Sequence, residues 1–207
     1  DTGQARGYGL LASETAKTAG TSCGAGSLSD HDRWWEAIGL PHRVIHAHVL
    51  RDTTTMTALI CEDLARSDPC HGIVRDIGPN IVISILMDGP QISGRWPQRY
   101  ALALAEDPGS AVLTLTSRAL VELSNQSSGH PTSWSIGLWK DGSSESVKMI
   151  VCEPGQHGVV LTLRSSKTVE QTFDGRINTD ARSWRLDGQY PIVVSDGTVT
   201  KAVRGAG

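Results

Sequence analysis

Apolar and polar residues alternate through "RVIHAHVL", residues 43 to 50, so that Val44, His46, His48 and Leu50 share one side and Ile45, Ala47 and Val49 the other. That period of two is the pattern of a strand. "RDTT" then turns the chain into "TMTALIC", and the two segments predict a hairpin whose second strand ends on Cys61. Asp68 and Pro69 read as the N-cap and first residue of a short helix through "CHGIVRDI" (helix at about 69 to 77), which "GPN" ends. The continuous apolar run "NIVISILM" follows as a buried strand, expected to lie parallel to "TMTALI". A loop "DGPQISG" leads into "RWPQRYALALAED", where Tyr100 and Leu104 stand at helical spacing, and the breaker "DPG" separates this helix from the strand "SAVLTLTS". After the loop "NQSSGHPTS", the segments "WSIGLWK", "SVKMIVCE" and "GVVLTLR" predict three strands linked as hairpins. Strand and helix alternate in the middle of the chain and strands close it, which is the order of an α/β layer with a β-rich end.

The flanks are less patterned. Residues 1–30 are rich in Gly, Ala, Ser and Thr and read mostly as loop, residues 31–190 as one domain, and residues 191–207 as a loose tail. The chain opens on Asp1 in the middle of a polar stretch, and the expectation is a piece of a longer protein.

Composition narrows the partners. The 207 residues hold 19 Lys plus Arg against 22 Asp plus Glu, a net charge of -3, so there is no broad basic field for nucleic acid. "NIVISILM" is too short to span a bilayer, and the opening lacks the order of a signal peptide, so a cytoplasmic chain with no membrane partner is expected. The four cysteines, Cys23, Cys61, Cys70 and Cys152, are irregularly spaced and too few for a disulfide scaffold in a chain of this size. Reduced thiols are the expectation.

Among the candidate sites, Cys61 stands out because a strand that ends there and runs into a turn would hold the thiol at the carboxyl edge of the sheet, where α/β proteins bind ligands. Free cysteine is also among the most buried residue types, and a small core residue at a strand end is the competing reading. His42, His46, His48, Cys70 and His71 lack the paired loops of a structural zinc site, and no metal or other cofactor is expected. "DRWWE" and "GRWPQRY" join Arg to Trp, a pairing that can stack bases, yet without a basic surface core or interface packing is the simpler role.

The stretch "TALICEDLARSDP", followed by "PNIVISILMDGPQISGRWPQRYALALAEDPGSAVLTLTS" and later by "SVKMIVCEPGQHGVVLTL", resembles the nitrilase or carbon-nitrogen hydrolase superfamily over residues 34 to 164, with "ICED" at the nucleophile position. The resemblance implies an αββα sandwich, here incomplete at its N-terminus, that often forms homodimers. It also implies a Glu-Lys-Cys triad acting on a small amide or nitrile. Cys61 matches the nucleophile. Lys17, the only lysine before Cys61, is the candidate catalytic lysine, and Glu14, Glu36 and Glu62 are the only glutamates in or before the motif, none in the family's setting. Glu62, Met87 and Asp88 are the candidate substrate contacts. Two readings stay open: a thiol-dependent amide or nitrile hydrolase, and an inactive binding or assembly domain of a multidomain protein, for which nitrilase-like domains joined to reverse transcriptases in bacterial defence proteins are an analogy.

Overall fold

Val, Ile, Leu and Thr concentrate in six short segments between residues 47 and 151, and these segments build one sheet. The computed structural model describes residues 44–50, 53–127, 131–171 and 175–194, with the backbone of two further strands, β1 (Leu10–Ala12) and β2 (Trp34–Glu36). The chain divides into two units, Asp1–Ile45 and His46–Gly207. In the first, β1 lies inside the stretch read as loop and pairs antiparallel with β2, Leu10 opposite Glu36.

In the second unit the sheet order is β3-β4-β5-β6-β7-β8, from β3 (Ala47–Val49), β4 (Thr55–Ile60), β5 (Ile81–Leu86), β6 (Ala111–Thr116), β7 (Ser135–Lys140) and β8 (Lys148–Val151). The predicted hairpin is present, with β3 antiparallel to β4. β4, β5 and β6 run parallel, with Ile60 beside Ile85 and Ile85 beside Leu115, and β7 and β8 return antiparallel. Gly137 on β7 is required by close approach, since a Cβ there would stand 2.6 Å from the Thr114 carbonyl oxygen.

The alternation along each strand sorts side chains to two faces. One face carries Thr57, Leu59, Val82, Ser84, Leu86, Val112, Thr114, Thr116 and Leu138, all buried. The helices α1 (Gly72–Ile77), α2 (Trp96–Glu106) and α3 (Arg118–Ser127) contribute Val74, Ala101, Leu104, Ala105 and Val121 to the core. On the other face Ala111 and Trp139 join Ile150 and Leu186 in a second cluster, with Leu113, Leu161, Leu163 and Trp184 packed against it.

That second cluster is closed by a long antiparallel ribbon, β9 (Gly158–Gln171) with β10 (Ile177–Ile192). Here the structure corrects the sequence reading. "GVVLTLR" does not pair with β8 as a third hairpin strand. It belongs to a separate two-stranded sheet, held by the apolar side chains of β9 and β10 lying across β6 to β8. β10 runs to Ile192, past the start of the stretch read as tail, and residues 195–207 lie outside the described residues.

A second correction concerns Asp68. It is extended (φ −126°, ψ 129°), the Asp68–Pro69 peptide is cis, and α1 begins only at Gly72. The residue before a proline is pushed away from helical angles, which favours extended backbone at Asp68. The residue at the N-cap position of α1 is His71, with no side-chain cap bond.

Candidate active site at the carboxyl edge of the sheet

β4 ends at Ile60, and Cys61 opens a tight turn, Cys61–Leu64, with φ +50°. Among the described residues it is the one non-glycine with a positive φ. The left-handed region places Cβ close to the following carbonyl and costs an L-residue about 1–2 kcal/mol, so a backbone held there is stored strain of the kind that clusters at functional sites. The turn sets a half-buried sulfur-bearing side chain at the end of a strand flanked by a parallel neighbour.

Four hydrogen bonds hold the turn. The backbone N–H groups of Ala65 and Arg66 donate to the Glu62 carbonyl oxygen at 2.9 and 3.1 Å. The Ile60 N–H reaches Asp63 Oδ2 at 3.4 Å. The buried His71 donates from Nε2 to the Leu64 carbonyl oxygen at 2.6 Å, while its ring meets Tyr100 of α2 edge to face. Glu62 itself is exposed and paired with Arg66 at 3.1 Å.

Continuing the β4–β5 register places Cys61 beside Leu86, so Met87 and Asp88 lie one and two residues further along the same edge. Asp88 is tightly built in. Its Oδ1 accepts from the Gly89 N–H at 2.8 Å and from Arg95 Nη2 at 2.7 Å, and its carbonyl oxygen accepts from Thr116 Oγ1 at 2.6 Å. Its Oδ2 is closed off from solvent and has no hydrogen-bond partner. A buried acceptor left open costs about 1–3 kcal/mol, a cost held within the loop itself.

The loop after Asp88 is braced from below by the buried Gln91. Its Nε2 donates to the Gly89 carbonyl oxygen at 3.0 Å, and its Oε1 accepts from Thr114 Oγ1 at 3.3 Å. Its backbone exchanges bonds with Ser135, N–H to carbonyl at 2.8 Å and Ser135 Oγ to the Gln91 carbonyl at 2.5 Å. Gly89 must be glycine, because a Cβ there would fall 2.6 Å from Ser124 Oγ.

Residues of α3, the segment before β7 and the loop after β8 complete this edge. Arg118 donates to Glu122 Oε1 from Nε and Nη2, and from Nη1 to the carbonyl oxygens of Glu153 and Gln156. Its guanidinium lies over the Trp134 ring, 5.4 Å from the centroid. The pairing with Glu122 raises the Arg118 pKa further, keeping it charged.

No protein-family model, curated protein or solved structure matches this chain.

A polar cleft of about 230 Å³ lies at the opposite edge, where Gly109 and Ala111 lead into β6, lined also by Asp141, Ser143, Trp184 and Arg185. It holds no strained residue and none of the predicted site residues. The strained turn therefore marks the candidate site better than the cleft does.

Of the residues expected from sequence, the structure brings Cys61, Glu62, Met87 and Asp88 to one sheet edge. Lys17, Glu14, Cys23 and His42 lie outside the described residues, and Glu36 is described in backbone only. Cys70 and Cys152 are buried, and His46 stacks on His48 with ring centroids 5.9 Å apart. Among the described residues no group of three or more His, Cys, Asp or Glu could hold a metal. Gln91, Arg95 and Thr116 were not found from sequence, and His71 was weighed only as a metal ligand, because each acts through a neighbour brought close only by the fold.

Proposed function

We propose that the chain carries a thiol-dependent centre of the carbon-nitrogen hydrolase type, with Cys61 as nucleophile. The observation that supports it best is the positive φ of a half-exposed cysteine at the end of a parallel strand. A thiol held on a strained turn is lifted clear of its own strand and can approach a carbon atom from the open side of the sheet edge.

In this reading the Cys61 thiolate forms a bond to the carbonyl carbon of an amide, or to the carbon of a nitrile. For the amide, the C–N bond breaks, the amine leaves with a proton from a general acid, and a thioester remains. For the nitrile, a first water adds to the thioimidate and ammonia leaves, which gives the same thioester. A further water then attacks the thioester carbon, releases the carboxylic acid and returns the thiol. Met87, more than half exposed, supplies an apolar wall beside Asp88. The resemblance assigns Lys17 to the developing oxyanion, but Lys17 lies outside the described residues, and no base is assigned. The whole assembly would be an αββα sandwich, of which the six-stranded sheet with its helices forms one half, working as a cytoplasmic, reduced protein. No helix among the described residues is long and apolar enough to cross a membrane.

A specific observation favours the second reading, an inactive binding or assembly domain. The carboxylates nearest in sequence to Cys61 are engaged elsewhere, Glu62 with Arg66 and Asp63 with the Ile60 N–H. General acid–base help is worth about a hundredfold to ten-thousandfold in rate, and a thioester formed without it would persist. Ammonia release from a panel of simple amides and nitriles, run beside intact-mass measurement, separates the readings. Turnover lost in Cys61→Ala supports the hydrolase, a stable adduct on Cys61 supports a centre lacking its base, and neither signal supports the binding domain.

A further inference from the structure

The polar cleft at the start of β6 is assembled from parts of the fold that are distant in sequence. The turn after β7 brings Asp141 and Ser143 to it, and the ribbon brings Thr168, Ser183, Trp184 and Arg185. Strand pairing sets the ribbon's contribution. Ser183 stands opposite Ser166 and Arg185 opposite Arg164, so Thr168, Ser183 and Arg185 share one side of the ribbon. The two arginines are a like-charge cross-strand pair, an arrangement that is destabilising on its own. Arg164 is engaged by Asp187 at 3.1 Å, whereas the exposed Arg185 has no ion pair or side-chain hydrogen bond among the described residues. Arg185 thus brings an uncommitted guanidinium to the cleft. Beside it Gly109 has open space in front of its backbone, since a Cβ there would meet nothing within 4 Å.

The lining selects the class of ligand. The Asp141 carboxylate accepts from the Ser143 hydroxyl at 2.6 Å, from Trp139 Nε1 at 2.8 Å and from the Ser143 N–H at 3.1 Å. An ionised carboxylate has about four acceptor sites, so roughly one is left. An ammonium ligand brings three N–H donors that a single acceptor site does not satisfy. An anion drawn to Arg185 would stand in the field of ionised Asp141. A ligand with several hydroxyls and no charge meets neither obstacle, because each of its hydroxyls donates once and accepts twice. Arg185 supplies donors, Asp141 an acceptor, and the hydroxyls of Ser143, Thr168 and Ser183 serve the remaining roles, while the half-buried Trp184 adds apolar surface. The cleft volume of about 230 Å³ lies below the range of roughly 300–1,000 Å³ typical of drug-sized ligands, which suits a single sugar ring.

We propose that this cleft binds a neutral polyhydroxyl ligand the size of one monosaccharide, with Arg185 donating to its oxygens and Asp141, Ser143, Thr168 and Ser183 completing its hydrogen bonds. The site lies at the edge opposite Cys61 and is independent of the chemistry assigned there. Its test is a titration of the isotope-labelled 207-residue chain, read from backbone amide NMR shifts. The neutral probes are D-glucose, D-galactose, N-acetylglucosamine and myo-inositol, the three sugars also as methyl glycosides, and the charged probes are inorganic phosphate and glycine. The expected result is saturable shifts at Gly109, Gly142, Ser143 and Ser183 with at least one neutral probe, with a dissociation constant in the millimolar range for so small a ligand. Binding should weaken roughly fivefold or more in Arg185→Ala and stay unchanged in Arg164→Ala, which shares the ribbon side but does not line the cleft. Equal thermal midpoints for Arg185→Ala and the wild type exclude unfolding as the cause. A methyl glycoside that binds as well as its free sugar assigns the site to the end residue of a glycan, and one that fails to bind assigns it to the free sugar. No saturable shift at the cleft with any neutral probe overturns the proposal. Saturation by phosphate or glycine in preference to every neutral probe, or binding indifferent to Arg185→Ala, overturns it too.

Discussion

His71 Nε2 lies 2.6 Å from the carbonyl oxygen of Leu64, and both residues are buried. A carbonyl can only accept, so Nε2 carries a proton and donates it, and the bond ties the residue just before α1 to the last residue of the turn begun by Cys61. The Tyr100 and Trp96 rings then extend the support into α2.

Replacing His71 by Leu keeps the volume near its present value and removes the donor. The Leu64 carbonyl is then left without its partner in the core, at a cost of about 1–3 kcal/mol. The urea midpoint of His71→Leu should fall accordingly, with alkylation of Cys61 altered in rate as its turn loosens. A variant as stable as the wild type, labelled at the same rate, would show that the bond contributes nothing to the turn.

Gly89 and Ser124 make a second pair whose coupling can be measured. A methyl group on Gly89 would meet Ser124 Oγ at 2.6 Å and its Cβ at 2.9 Å, and overpacking of this kind costs about 1–3 kcal/mol. Ser124→Gly removes both atoms. In a double-mutant cycle the Gly89→Ala penalty should shrink by half or more in the Ser124→Gly background. Additive effects would place the strain of Gly89→Ala in the backbone and not against α3.

The centre of the sheet was legible because its strands are continuous or alternating apolar runs ended by clear breakers, and the parallel pairing of β4 with β5 followed from the short connection between them. α3 was missed because its apolar residues are few, Ala119, Leu120, Val121 and Leu123, and of these only Val121 is buried. Its signals were a hydroxyl at Ser117, whose Oγ accepts from the Leu120 N–H at 3.3 Å, and the Arg118–Glu122 pair at i, i+4. β10 was missed because charged residues punctuate it, with Ala181 and Leu186 its only buried side chains. At the site, the end of the apolar run pointed to Cys61, Met87 and Asp88. The left-handed backbone of Cys61 could not be read, since cysteine has no preference for it, and His71 gave no hint that it would face Leu64.

Asp141 gives the fold a predictable acid sensitivity. Burial alone would raise its pKa, but bonds from the Ser143 hydroxyl at 2.6 Å, Trp139 Nε1 at 2.8 Å and the Ser143 N–H at 3.1 Å outweigh that, and the carboxyl is held below its ordinary value. With the folded value depressed, the unfolded chain binds the proton more readily. The stabilisation is complete above the unfolded value of about 3.9 and is lost as pH falls through the folded one. Asp141→Asn should therefore lower stability near neutrality and show a shallower decline of the urea midpoint between about pH 5 and pH 2. Parallel curves for the two proteins would mean that the charge of Asp141 is not linked to folding.

The strain at Cys61 makes the sharpest prediction, because stability and reactivity should move in opposite directions. Glycine adopts positive φ without penalty, whereas alanine keeps the Cβ that makes φ +50° costly. Cys61→Gly should then be more stable than Cys61→Ala by about 1 kcal/mol, the left-handed penalty less the extra freedom glycine gains when unfolded. The thiol itself should be the first of the described cysteines to react with a mild alkylating reagent at neutral pH, since Cys70 and Cys152 are only 4% and 1% exposed. Peptide mapping after short exposures reads the order of labelling, and urea titration of the two variants reads the strain. Should Cys70 or Cys152 label before Cys61 in the folded chain, or should Cys61→Gly prove the less stable variant, the turn is not a strained mount for a reactive sulfur, and the nucleophile assignment fails with it.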